Sequence, residues 1–117
     1  MNAEELKDRT KAFAVNIIKL VESLPKSKTV DILGRQLIRS ATSIGANYRA
    51  ACKGRSKADF ISKITVVEEE ADECQYWLEL LIELKIDDRH ALPDLLKEAR
   101  ELTAIFTASG KTAKRKN

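Results

Sequence analysis

Five carboxylates crowd into one short run, Glu68, Glu69, Glu70, Asp72 and Glu73, while Arg35, Arg39 and Arg49 recur along a stretch without acids after Asp31. Carboxylates at close quarters suggest two kinds of chemistry. Glycoside hydrolysis needs two of them flanking a cleft, which a run along one helix does not provide. A di-metal bundle needs inward Glu residues from several helices together with Glu-x-x-His repeats. The sequence has one histidine, His90, in a connection between helices, so that set cannot be assembled. Cys52 and Cys74 are isolated and form no Cys-x-x-Cys pair. The residues therefore point away from catalysis, and neither a metal nor a cofactor is expected. The like charges of the acidic run instead call for cations, and the planar guanidinium of arginine suits partly buried carboxylates.

Charge matters here by position. The net is +3 with a pI of about 8.9, yet Lys111, Lys114, Arg115 and Lys116 stand after Gly110 without any acid. Residues 1–57 hold 12 Lys/Arg against 5 Asp/Glu, and residues 58–110 hold 5 against 13. Basic and acidic halves are expected to face each other, within one chain or between copies. The alternative is a nucleic-acid contact made by Arg35, Arg49, Lys53, Lys111, Lys114, Arg115 and Lys116. Such a contact would be electrostatic and indifferent to base sequence.

Positioning these groups requires long helices. The 117 residues are 44% hydrophobic but only 5% aromatic, with four glycines and two prolines, a poor composition for strands and turns. Apolar spacing of three and four marks four segments. The first runs from about Ala3 to Leu24 through Leu6, Phe13, Ile17 and Leu20 or Val21, and stops at Pro25. The second runs from about Thr29 to Lys53 through Val30, Leu33, Leu37, Ala41, Ile44, Tyr48 and Ala51. Gly54 is expected to end it in a left-handed cap. Ser56 and Asp59 resemble a capping box that opens the third, which passes Phe60, Ile64, Val67, Ala71, Cys74, Trp77, Leu81 and Leu84 to about Ile86. The fourth begins between Asp87 and Pro93, continues through Leu95, Ala99, Leu102 and Phe106, and is expected to end at Ser109–Gly110. Short connections then predict an all-α, antiparallel up-down-up-down four-helix bundle over residues 1–110, with 111–117 a disordered basic tail. The acidic start and the lack of any run near the ~20 apolar residues of a membrane span imply a cytoplasmic protein without a membrane partner.

On the second helix, Gln36, Ser40, Ser43 and Asn47 form an uncharged polar stripe beside the apolar one, and Ala41, Gly45, Ala46, Ala50 and Ala51 permit close approach. This is a poor outer wall, and a second subunit is expected to cover it. The tight connection near Gly54 sets a register in which facing residue numbers on helices two and three sum to about 110. Arg39 then lies at the level of Ala71, one helical turn from Asp72 and Glu73, and Asn47 near Lys63, with Arg35, Arg39 and Arg49 as the expected partners of the acidic run. The same register separates Cys52 from Cys74 by roughly 24 Å, far beyond the ~7 Å of a disulfide, so both are expected to be small core residues. Trp77, Tyr48 and Tyr76 are expected in the core or at a subunit interface rather than as stacking platforms.

The segments 33–52 (LGRQLIRSATSIGANYRAAC), 56–63 (SKADFISK), 68–73 (EEEADE) and 77–81 (WLELL) resemble the bacterial four-helix-bundle family of proteins encoded by intervening sequences in 23S ribosomal RNA genes, the S23 ribosomal protein family. Accessory variability determinants of diversity-generating retroelements are relatives. Many members carry Ala-Glu where Arg49 and Ala50 stand here. The resemblance implies a homopentameric, barrel-like assembly without enzymatic activity. For the retroelement members it implies a basic surface that engages nucleic acid and a reverse-transcriptase partner. The expected function is that of a self-assembling adaptor or scaffold, with RNA or DNA as the alternative partner. The expected interface and polar network comprise Gln36, Arg39, Ser40, Ser43, Asn47, Arg49, Glu70, Glu73 and Trp77.

Overall fold

Each of the first three helices starts where a short polar side chain can take up a free backbone N–H. In the computed structural model, which describes residues 1–86 and 91–115, four helices account for most of the chain: α1 (Ala3–Ser23), α2 (Lys28–Cys52), α3 (Lys57–Glu83) and α4 (Ala91–Arg115). Asn2, Ser27 and Ser56 are the N-caps and accept from Glu5, Val30 and Asp59 respectively. The capping box at Ser56 is half formed, because Asp59 accepts from the N–H of Arg55 at 3.3 Å rather than returning to Ser56. α1 ends as expected at Leu24, whose extended backbone is what a following proline requires.

The two glycine-based helix ends turn out differently. Gly54 has no left-handed backbone; it closes α2 by donating to the carbonyl of Ala51 at 2.9 Å. Among the described residues only Lys85 has a positive φ, 57°, and it ends α3. Its N–H reaches Ile82 O at 2.9 Å and that of Ile86 reaches Leu81 O at 3.3 Å, the paired bonds of a Schellman cap. α4 does not stop at Gly110. Gly110 is buried against α3, where a Cβ would lie 3.6 Å from Ile64 Cγ2, and the helix continues to Arg115. Lys111, Lys114 and Arg115 are thus carried on a helix rather than on a frayed tail, while His90 and Lys116 lie outside the described residues.

Contacts join α1 to α2, α2 to α3, α3 to α4 and, most weakly, α4 to α1, while among the described residues the backbones of the diagonal helices do not approach one another. That is the antiparallel up-down-up-down bundle, 49 × 21 × 19 Å. Phe13, Ile17, Leu37, Ile44, Ile64, Val67, Leu102 and Phe106 fill the centre, with Tyr48 packed on Phe106 at 5.4 Å between ring centroids. The apolar stripe of α3 passes through Leu78 rather than Trp77, which is half-buried at the edge, and Leu84 points outward. Cys74 is buried as expected; Cys52, at the last turn of α2, is exposed. α2 meets α1 at two glycines. A Cβ on Gly34 would stand 2.7 Å from Val21 Cγ1, and one on Gly45 3.2 Å from Thr10 Oγ1. The small residue Gly45 therefore serves a contact within the chain. No helix among the described residues is long and apolar enough to cross a membrane.

Candidate functional site

The groove between α2 and α3 holds the polar network expected at Arg39. Arg39 donates to Glu70 Oε2 at 3.1 Å and, through its other terminal nitrogen, to Glu73 Oε1 and Ser40 Oγ. Glu73 Oε1 also accepts from Ser40 Oγ at 3.0 Å and from the indole N–H of Trp77 at 3.1 Å. Ser40 is fully buried, and its single hydroxyl proton is shared between Glu73 and the carbonyl of Gln36 at 3.0 Å. Burial alone would raise the Glu73 carboxyl, but the hydrogen bonds from Trp77, Arg39 and Ser40 outweigh it and hold the group below the usual carboxylate range. Arg39 is correspondingly raised by its bonds to Glu73 and Glu70. A carboxylate held ionised and saturated with donors is a weak base. The constellation can clamp two helices; it does not activate a nucleophile.

The acidic run is dispersed by helical geometry. Glu70 and Glu73 turn to α2, Glu68 turns to α4 and accepts from Thr107 at 2.5 Å, and Glu69 and Asp72 face outward. Arg35 and Arg49 do not reach these acids. Arg35 pairs with Asp31 one turn earlier at 2.5 Å, and Arg49 lies on the side of α2 that faces α1. Asn47 is not joined to Lys63; it donates to Ser43 O at 2.9 Å, while Lys63 pairs with Asp59 at 2.5 Å. Gln36 is exposed, and Ser43 and Asn47 are half-buried beside the Arg39 network. Tyr76 is exposed and meets Trp77 edge-on at 5.1 Å. One strong element escaped the sequence reading. Arg9 forks onto Glu98 at 2.6 and 2.7 Å and also reaches Glu101, bolting α1 to α4. These bonds raise the Arg9 guanidinium despite the opposing effect of burial. Only the α1–α4 register could have revealed it, and apolar spacing does not give that register.

Charge is polarised along the bundle axis. The ends of α1, α2, α3 and α4 that come together (residues 1–12, 43–66 and 104–115) hold eleven Lys/Arg against four Asp/Glu, and the remaining described residues hold eight against twelve. Among the cations at this end, Lys11, Arg49, Lys53, Arg55, Lys57, Lys111, Lys114 and Arg115 have no ion-pair partner among the described residues. A groove of about 500 Å³ opens there between α1 and α2, with Ala14, Thr42, Gly45 and Ala46 along it and Lys7, Lys11, Arg49 and Lys53 at its rim. Arg35 is not part of this end. It borders a separate groove, of about 790 Å³, near the α1–α2 connection, roughly 20 Å from Arg49 along α2.

The comparisons with known proteins agree with this architecture. The family model for the 23S rRNA-intervening sequence protein matches residues 4–108. A solved structure of a protein of unknown function from the S23 ribosomal protein family, from Bacteroides thetaiotaomicron VPI-5482, is 35% identical. The match covers 95% of this chain and 99% of that one, with a TM-score of 0.85. No curated protein matches the chain. A bundle matched over nearly its whole length by both the family model and a solved relative leaves one assignment: the chain belongs to the 23S rRNA-intervening sequence protein family.

Proposed function

We propose that this protein is a non-enzymatic, cytoplasmic adaptor or scaffold that works as a homo-oligomer, a pentamer by its family resemblance. The observation that supports this reading is the placement of exposed apolar side chains. Ile32, Val66, Tyr76 and Leu84 are 51%, 37%, 55% and 53% exposed and lie on or at the end of α2 and α3; of the other large apolar side chains exposed among the described residues, Met1 precedes α1 and Val15 lies on it. Half-buried Trp77 and the uncharged Gln36, Ser43 and Asn47 occupy the same side of the bundle. Apolar groups gathered on one side, with a satisfied polar network between them, make a surface suited to a neighbouring subunit. Light scattering at micromolar concentration should give a mass several times 13.1 kDa. Ile32→Glu with Tyr76→Glu should reduce it. A monomeric wild-type chain would overturn the reading.

A second reading rests on a different observation, the unpaired cations at one end of the bundle. Arg49, Lys53, Lys111, Lys114 and Arg115 converge there and could engage the backbone of RNA or DNA. The two readings are compatible if assembly leaves those tips open.

A further inference from the structure

We propose that α1 is a detachable strap, held to α4 by the ionic latch of Arg9 on Glu98 and Glu101, and that it lifts from the bundle as a unit while α2, α3 and α4 stay packed. The polar ties that cross between helices carry this inference. α2 is bound to α3 by Arg39 and Ser40 through Glu70 and Glu73. α3 is bound to α4 at three levels, by Glu68 with Thr107 at 2.5 Å, Gln75 with Thr103 at 2.7 Å and Glu79 with Arg100 at 3.5 Å. α1 is held differently. Among the described residues no side-chain hydrogen bond or ion pair joins it to α2, and those that join it to α4 all come from Arg9.

α1 can also leave without stranding a polar group. Thr10 is fully buried, but its hydroxyl is satisfied by the carbonyls of Leu6 and Lys7 in its own helix, at 2.9 and 3.0 Å. The neighbour it faces on α2 is Gly45, which offers no side chain to bond. Arg9 and Glu98 are half-buried and Glu101 is exposed, so opening returns all three to water at modest cost. Nearer the α1–α2 connection the seam is already parted, by a groove of about 370 Å³ between Leu20 and Ser23 of α1 and Ala91 and Leu95 of α4. The rest of the attachment is apolar, through Leu6, Phe13, Ile17 and Leu20. Elements with few ties open as local units before the whole fold does. A lifted α1 bares this apolar face and the trough it leaves behind, so Arg9 governs access to the core.

Hydrogen–deuterium exchange of the full chain, read by mass spectrometry of its peptides, tests this. In the wild type, residues 10–20 should exchange before the middle turns of α2, α3 and α4. Arg9→Glu sets a third carboxylate at the latch and should speed exchange of residues 10–20 about tenfold, with the other three helices unchanged. Arg9→Glu with Glu98→Arg re-creates the pair with its signs exchanged and should return α1 to wild-type protection, which separates the latch from any change in helix propensity. Arg39→Ala cuts the tie between α2 and α3 instead and should leave residues 10–20 as they were. Equal protection of all four helices in the wild type would overturn the proposal. So would an Arg9→Glu variant that speeds exchange in every helix together or in none, a combined variant that fails to recover, or an Arg39→Ala variant that loosens α1.

Discussion

Glu73 Oε1 collects three donors, from Arg39, Ser40 and Trp77, and this single oxygen ties α2 to α3 more specifically than any apolar contact can. Trp77→Phe keeps an aromatic ring and removes one donor, so it should cost about 1 kcal/mol. Trp77→Ala should cost about 2 kcal/mol, below the ~3–5 kcal/mol of a fully buried ring, because the indole is only half-buried. Urea melts of both variants check the order. The depressed carboxyl of Glu73 also makes stability depend on pH. In the unfolded chain the group protonates first as pH falls, so its contribution is complete above about pH 4.3 and declines as pH drops through that value towards the lower folded one. Glu73→Gln should flatten this part of the acid unfolding profile, and an unchanged slope would show that other carboxylates carry it. Arg39 was legible in the sequence as a partner of the acidic run because register alone brings it to the level of Ala71; of the two acids expected there Glu73 is met, while Asp72 faces outward and Glu70 takes its place. Arg35 and Arg49 were not, since a partner one turn away captures the first and a small rotation about the α2 axis turns the second towards α1.

Helices were the most legible level, because apolar spacing, Pro25 and the capping Ser56 all act locally. What failed was the reading of glycine as punctuation. Gly54 and Gly110 look like helix stops, yet Gly54 adopts no left-handed backbone and Gly110 is a packing site against Ile64 inside α4. The left-handed cap falls instead on Lys85, a residue type that gives no such signal. A lysine at φ 57° bears the Cβ–carbonyl crowding that glycine escapes. Lys85→Gly should therefore raise stability by about 1 kcal/mol, while Lys85→Ala, with the same crowding, should leave it almost unchanged. The urea midpoint at constant m-value measures the difference. A loss of stability in the glycine variant would mean that the stem of Lys85 contributes more than its backbone costs. The close α1–α2 crossings at Gly34 and Gly45 belong to the same lesson. A glycine within a helix can mark the approach of a neighbour, and sequence spacing alone does not say which neighbour.

At the scale of the whole molecule, two linear halves of opposite charge become something else once folded. Antiparallel helices bring the start of α1, the end of α2, the start of α3 and the end of α4 to one tip, and cations distant in sequence converge there. The continuation of α4 to Arg115 sharpens this, because it holds Lys111, Lys114 and Arg115 on a helix instead of dispersing them in solvent. If the tip engages nucleic acid, affinity should fall steeply with added salt, each neutralised phosphate releasing counterion. Lys53→Ala, Lys111→Ala and Lys114→Ala together should weaken binding and flatten the salt slope, because all three lie at the tip and none has an ion-pair partner among the described residues. Arg35→Ala should do neither, since Arg35 sits in the other half of the bundle and is paired with Asp31. Duplex and single strand should bind similarly whatever their sequence, as none of the tip cations is arranged to read base edges. Fluorescence anisotropy across a salt series, starting near ~50 mM, separates these outcomes. A slope unchanged by the triple variant would remove the tip from consideration. Repeating the titration with the Ile32→Glu, Tyr76→Glu variant then asks whether assembly is required. Monomers present one tip each, whereas a ring presents several to the same strand, and the resulting avidity should make the intact oligomer bind far more tightly than its dissociated subunits.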